Sequence, residues 1–196
     1  MFFKKVAAAA AAVCLFAGTA VSAYAETLRI GSETVYPPFE FLNSETGKYD
    51  GFDIDLINAM AKKAGFQPKI ISMGLDGLIP AIRSGSIDVA VSALTITKER
   101  AARVDFPKPY YKSGLSIMTH AKYADKVKSA KDLEGKVLCA EIGSSGALYM
   151  SKIRGTKLKI FNSAAEAFLE INNGGCYAMV NDKPVNDYFL TQKAGQ

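Results

Sequence analysis

Arg100 and Asp182 carry opposite charges, and each lies in a segment suited to holding a charged guest. Arg100 ends the run Ser92-Ala93-Leu94-Thr95-Ile96-Thr97-Lys98-Glu99-Arg100, which follows the apolar stretch Ile87-Asp88-Val89-Ala90-Val91. Thr97 has the place of a helix N-cap, which puts Arg100 in the first helical turn. A strand end, free backbone N–H groups, a hydroxyl and a guanidinium then converge on one spot. That chemistry suits a small carboxylate, because a helix N-terminus and an Arg fork favour the same anion. Taken alone, the run is equally well an exposed Arg on a capped surface helix. Asp182, in Asn181-Asp182-Lys183-Pro184, could take an ammonium group or could simply cap the helix that Pro184 starts.

The elements that must position these groups alternate between β-branched runs and helical periods. Leu28 to Gly31, Lys69 to Met73 and Ile87 to Ser92 read as strands. Between them lie an amphipathic helix, Ile54 to Ala64, closed by Gly65, and a helix capped by Asp76 and ended by Gly85. This βαβαβ order predicts a parallel sheet with right-handed crossovers. A second series begins after Tyr110-Tyr111-Lys112-Ser113-Gly114, with strands at Leu115–Thr119, Lys136–Ala140, Leu158–Phe161 and Tyr177–Asn181. Lys122 to Lys131 reads as a loop running into a short helix. Further helices are expected over Ala147–Ile153, over Ala164–Asn172 with Ser163 as cap, and from Pro184 onward. The fold class is α/β, with two lobes joined by a crossover and each built on a mainly parallel sheet.

Ligands in open α/β sheets sit beyond the carboxyl ends of the strands. The residues there are Glu33 and Tyr36, then Gly74 and Leu75, then Ala93, Thr95 and Arg100. The second unit contributes Glu141 to Gly146, including Ser145, and then Asn181 and Asp182. Singly, each has a plain structural role: Tyr36-Pro37-Pro38-Phe39 turns the chain, and Gly143–Gly146 is a turn. Their convergence between two facing lobes is harder to explain as packing. With Arg100 on one lobe and Asp182 on the other, the complementary guest is a zwitterionic α-amino acid. Desolvating each of its charges costs several kcal/mol unless that charge is paired. Charge-assisted bonds return about 1.5–3 kcal/mol apiece, so several are needed.

Composition narrows the classes further. The chain of 196 residues has 24 basic and 19 acidic side chains. Lys4 and Lys5 fall in a leader: a basic start, an apolar Val6–Ala20 and the cleavage motif Ala23-Tyr24-Ala25. Cleavage after Ala25 is expected to leave a chain with net charge +3, free in an exported compartment. Its basic residues are scattered, with no stripe suited to nucleic acid, and no later run could span a bilayer. His120 is the one histidine and reads as a surface residue at a strand end, which leaves little material for a His-based triad. Neither a metal site nor a cofactor is expected. Cys139 and Cys176 could bond in an exported protein, but both sit in apolar runs, where a buried free thiol is the expected state.

The ordered segments resemble the periplasmic amino-acid-binding proteins of ABC importers, the polar and basic branch of the two-lobed solute-binding family. The resemblance is carried by Gly31-Ser32-Glu33 through Tyr36-Pro37-Pro38-Phe39-Glu40-Phe41, by Gly51-Phe52-Asp53-Ile54-Asp55-Leu56 and by Asp76-Gly77-Leu78-Ile79-Pro80-Ala81. Leu94 to Arg100, Val104-Asp105-Phe106, Pro109-Tyr110-Tyr111, Asp132 to Val137, Asn172-Asn173-Gly174-Gly175 and Asn181 to Asn186 continue it. It implies the type II periplasmic-binding-protein fold, with lobe 1 at 26–113 and lobe 2 at 114–196. It also implies that Arg100 clamps the ligand α-carboxylate with the N–H groups of Thr95 and Ser145. Asp182 would take the α-ammonium with the Ala93 carbonyl and the Thr95 hydroxyl. Tyr36 and Leu75 would sandwich the side chain, Glu33 and Glu141 would reach its far end, and Asn181 would lie near the ligand. The implied partner is an ABC permease in the inner membrane, the implied state a monomer.

Two acids at the distal end favour a cationic side chain such as arginine, lysine or histidine over glutamine, and disfavour an acidic ligand. The family's chain returns from lobe 2 to lobe 1, whereas this sequence stops at Gln196. The resemblance therefore implies a C-terminally truncated chain whose first lobe lacks part of its sheet and cover. A dehydratase using Glu141 or Glu33, or a receptor's sensor domain, are the alternatives on the same fold.

Overall fold

Ile54, Ile57 and Ala61 are buried on one face of helix α1 (Phe52–Ala64), and Gly65 ends that helix in the left-handed region. This face covers the first sheet, formed by β1 (Thr27–Ser32), β5 (Gln67–Ser72) and β6 (Val89–Ala90). The computed structural model describes residues 25–194, so the leader up to Tyr24 lies outside the described residues. The sheet order is β5-β1-β6 and both pairings are parallel, as the βαβαβ pattern predicts. Helix α2 (Leu75–Ser84) buries Leu78 and Ile79 toward it. Two boundaries differ from the sequence reading. Asp76 is not the cap of α2; Gly74 holds that place and Asp76 lies in the first turn. The expected strand Ile87–Ser92 pairs only at Val89–Ala90, since the chain then turns into the site.

Three short strands were not anticipated. β2 (Val35–Tyr36), β3 (Glu40–Asn43) and β4 (Lys48–Asp50) make a small antiparallel sheet beside the first lobe. Tyr36-Pro37-Pro38-Phe39 is the turn between β2 and β3, with a cis bond between the two prolines.

The chain then passes through the one-turn helix α3 (Lys98–Ala101) and an extended stretch to β7 (Leu115–Thr119). The second sheet adds β8 (Val137–Glu141), β9 (Lys157–Phe161) and β10 (Ala178–Asp182), in the order β7-β10-β8-β9. β7 runs antiparallel to β10, and the other pairings are parallel. Helices α4 (Ser145–Met150), α5 (Ala164–Asn172) and α6 (Lys183–Ala194) flank it. Ser163 caps α5 as expected, while α4 starts and stops earlier than the sequence pattern suggests, because Ser144 caps it. The basic stretch before β8 forms two 3-10 turns, Ala121–Tyr123 and Ala130–Leu133.

The thiol expectation is corrected: Cys139 and Cys176 are joined in a disulfide, with their Cα atoms 5.7 Å apart. Parallel pairing of Ala178 with Leu138 draws the chain before β10 alongside β8, and Tyr177 N–H donates to the Val137 carbonyl at 2.8 Å. Apolar surroundings remain compatible with a bond once strand register has brought two cysteines together.

Candidate functional site

Thr97 accepts a hydrogen bond from the Arg100 N–H at 3.1 Å, so the cap read from sequence is the device that sets Arg100. From there the guanidinium reaches both lobes. One of its nitrogens donates to the Thr95 carbonyl and the other to the Gly143 carbonyl, each at 2.9 Å. Gly143 belongs to the turn ahead of α4. Within α4, a Cβ on Gly146 would meet the Val180 carbonyl oxygen at 2.0 Å, so glycine is what lets the α4 N-terminus lie against β10.

On the facing side, the Tyr36 hydroxyl lies 2.9 Å from Asn181 Oδ1 and 3.0 Å from Asp182 Oδ2. Its single proton serves those two acceptors, joining the β2 turn of one lobe to the end of β10 in the other. The Thr95 and Ser145 hydroxyls make a third, longer contact at 3.4 Å.

All ten residues named from the sequence line one cavity: Glu33, Tyr36, Leu75, Ala93, Thr95, Arg100, Glu141, Ser145, Asn181 and Asp182. Ser92, Leu94 and Ser144 complete its wall; they lie in the segments marked from the sequence but have no assigned role there. A larger groove of about 520 Å³ adjoins it and shares Ala93, Leu94, Thr95, Ser145 and Asp182. The rest of that groove is mostly aromatic and aliphatic, with Phe39, Ile96, Tyr110, Tyr111 and Leu115. The smaller cavity, of about 20 Å³, is the one lined by both Arg100 and Asp182.

Burial sets the electrostatics. Desolvation lowers the Arg100 pKa, and Asp182 and Glu141 oppose it. Desolvation raises Asp182, against the Tyr36 hydrogen bond and the charge of Arg100. Arg100 and Asp182 thus sense each other's charge, yet no ion pair joins them among the described residues. At the far end, burial pushes Glu33 up to about 7, against the protonated Glu141 carboxyl that it faces and with the charge of Asp76 adding to the rise. Burial, with the charges of Glu33 and Asp182, pushes Glu141 up to about 10. Glu33 Oε1 and both Glu141 carboxyl oxygens are buried without a hydrogen-bond partner. Orphaned buried oxygens of this kind cost about 1–3 kcal/mol each.

Behind the cavity lies a second polar cluster that sequence reasoning did not find. Ala93 has φ +45°, a left-handed conformation uncommon for a residue with a side chain. Asp53 Oδ2 holds it there, accepting the Ala93 N–H at 2.7 Å and the Tyr110 hydroxyl at 2.8 Å. Ser92 Oγ donates to Glu40 Oε1 at 2.7 Å and accepts the Glu33 N–H at 3.0 Å. Burial and the neighbouring Asp53 push Glu40 up to about 10. Asp53 stands in the quoted Gly51-Phe52-Asp53 segment, and only the folded chain shows what it supports. Among the described residues no group of three or more His, Cys, Asp or Glu could hold a metal ion, and no helix is long and apolar enough to cross a membrane.

Residues 28–188 match the family model of bacterial extracellular solute-binding proteins, family 3. The chain belongs to this family. Among curated relatives of this family 3 chain, a probable histidine-binding protein of Campylobacter jejuni is 35% identical over 166 residues. That match covers 85% of this chain and 64% of the relative. An L-arginine-binding protein of Pseudomonas aeruginosa is 35% identical over 86% of this chain and 66% of its own length. This family 3 chain therefore spans about two thirds of the length of these relatives. In three dimensions it is similar to an ancestral arginine-binding protein solved with arginine bound (TM-score 0.82, 41% identity, 86% of this chain and 75% of that one). It is also similar to an ancestral arginine-binding protein solved bound to glutamine (TM-score 0.81, 41% identity, 86% of this chain and 75% of that one). The type II two-lobed fold expected from the sequence is thus the fold of this chain.

Proposed function

We propose that this chain is the extracytoplasmic binding component of an ABC importer, capturing an L-amino acid with a basic side chain between its lobes. One observation carries the proposal. Arg100 and Asp182 come from opposite lobes, line the same cavity and are not paired with each other. A zwitterion placed between them satisfies both. Its carboxylate takes the Arg100 fork and the N–H groups of Thr95 and Ser145. Its ammonium takes Asp182, the Ala93 carbonyl that Asp53 aims, and the Thr95 hydroxyl. Tyr36 and Leu75 hold the side chain, and Glu33, Glu141 and Asn181 meet its end. Arginine, lysine and histidine fit the two acids, and the names of the histidine- and arginine-binding relatives support that choice. Glutamine is the second reading, because a carboxyl can also accept an amide N–H and an ancestral arginine-binding protein was solved bound to glutamine.

In this reading the ligand meets one lobe, the other closes over it, and the closed form of the monomer docks on the permease. Export by the leader places it in the periplasm. The relatives named above are binding proteins, which supports capture rather than turnover. Calorimetric titration of the purified protein with arginine, lysine, histidine, glutamine and glutamate tests this. Tightest binding is expected from a basic member of the panel, and tightest binding of glutamate would overturn the reading.

A further inference from the structure

Glu33 leaves β1 on one lobe and Glu141 ends β8 on the other, and both are at least nine-tenths buried on the same cavity. Three of their four carboxyl oxygens have no hydrogen-bond partner. Two buried carboxylates facing one another cannot both stay ionised without a positive charge between them. Either a proton or the side chain of the guest must provide that charge. We propose that the Glu33–Glu141 pair exchanges one proton for the cationic side chain of the ligand, so that a neutral ligand is bound with the proton retained and pH decides which class of amino acid the cleft prefers. This rests on the amino-acid reading of the site given above.

The groups facing the pair do not supply the charge themselves. Asp76 on α2 and Asp182 on β10 are acids that add negative potential, and Glu40 on β3 is itself held protonated by burial. Tyr36 on β2 is held neutral by burial and by the charges of Asp182, Glu141 and Glu33. Arg100 on α3 is the one neighbour that favours ionised Glu141, but its fork is turned to the Thr95 and Gly143 carbonyls and to the α-carboxylate of the guest. The pair's raised proton affinity follows from burial before any of these charges.

The consequence is a linkage that does not depend on how the lobes sit before binding. The neutral complex holds one more proton than the cationic complex. The ratio of the two affinities therefore changes by up to tenfold per pH unit wherever that proton is fully exchanged. L-Arginine and L-citrulline are the matched probes, since citrulline has a similar shape with a neutral urea in place of the guanidinium. Each is titrated into the purified protein by calorimetry at about pH 5.5 and about pH 8, with proton exchange read from buffers of different ionisation enthalpy. The arginine-to-citrulline affinity ratio should rise at least roughly tenfold from the lower to the higher pH, with citrulline taking up close to one proton more than arginine. Glu141→Gln should flatten the pH dependence of the ratio and shift preference toward citrulline. A parent ratio constant within about twofold, equal proton exchange for the two probes, or a Glu141→Gln variant that keeps the parent's pH dependence would each overturn the inference alone. Arginine binding with no citrulline binding at either pH would also overturn it alone. Failure of every amino acid in the panel to bind would overturn the reading of the site, and this inference with it.

Discussion

The β7–β10 lobe joins Leu138, Met150, Met179, Phe168 and Ile171 in one apolar cluster around the Cys139–Cys176 bond. The β1–β5–β6 lobe connects only Ile30, Ile57 and Val91 in a comparable way. The first lobe also buries Ile54, Leu78, Ile79 and Ile87 outside that cluster, and beside them a set of polar groups: Ser32, Glu33, Thr34, Glu40, Asp53 and Ser92. The second lobe is organised to be a rigid platform, and the first to aim carboxyls, an N–H and the strained Ala93 at the cavity. Tyr36 and Phe39 cross the divide, since both pack in the cluster of the second lobe although they belong to the first. Stability is thus concentrated on one side of the cleft and polar positioning on the other.

The largest effect that can break this comparison comes from the disulfide. It closes a loop of 37 residues in sequence separation, so Cys176→Ser should cost about 2–4 kcal/mol in denaturant unfolding. The loss should appear as faster amide exchange across β8 and β10, with β1 little changed. Equal loss of protection in both sheets would show that the lobes do not differ as described.

Next in size is the buried acid of the first lobe. Glu40 has a folded pKa raised to about 10, above the ordinary value of a free Glu, so the folded form holds the extra proton more tightly than the unfolded chain. Its contribution to stability is complete below the unfolded value near 4.5 and is lost as pH rises toward the folded one, at up to about 1.4 kcal/mol per pH unit. Glu40→Gln should therefore flatten the fall in stability of the first lobe between about pH 5 and about pH 7, as read by urea unfolding at several pH values. A variant with the parent's slope would mean that Glu40 is ionised in the fold.

The smallest expected effect sharpens the positioning half of the comparison. Thr97→Ala removes the cap of α3 and should cost about 1 kcal/mol or less of stability. Because Arg100 depends on that cap, ligand affinity should fall more than stability does. Calorimetry alongside a thermal melt would separate the two.

The cap, the helices with clear start and stop residues and the strand ends were legible because each is a local pattern. Thr97, Ser163, Gly65 and Gly85 act within one turn of themselves. The ten cavity residues lie in the segments that one topological rule marks, that guests sit beyond the strand ends, and the family resemblance narrows those segments to the ten. What escaped notice required long-range register. The disulfide depends on β10 lying beside β8. The Asp53–Ala93–Tyr110 cluster draws on three segments up to 57 residues apart. The β2–β4 sheet was hidden because its strands are too short to show alternation. The start of α2 was misplaced because Asp76 looks like a cap, while Gly74 fills that place without a side chain.

In the proposed function Arg100 and Asp182 together neutralise a zwitterion between the lobes. Titrating L-arginine into Arg100→Gln and, separately, Asp182→Asn tests it most directly, with folding of both variants checked by circular dichroism. Each should bind at least about 100-fold more weakly than the parent, the scale expected when one partner of a desolvated charge pair is removed. Parent-like affinity in both variants would contradict the account.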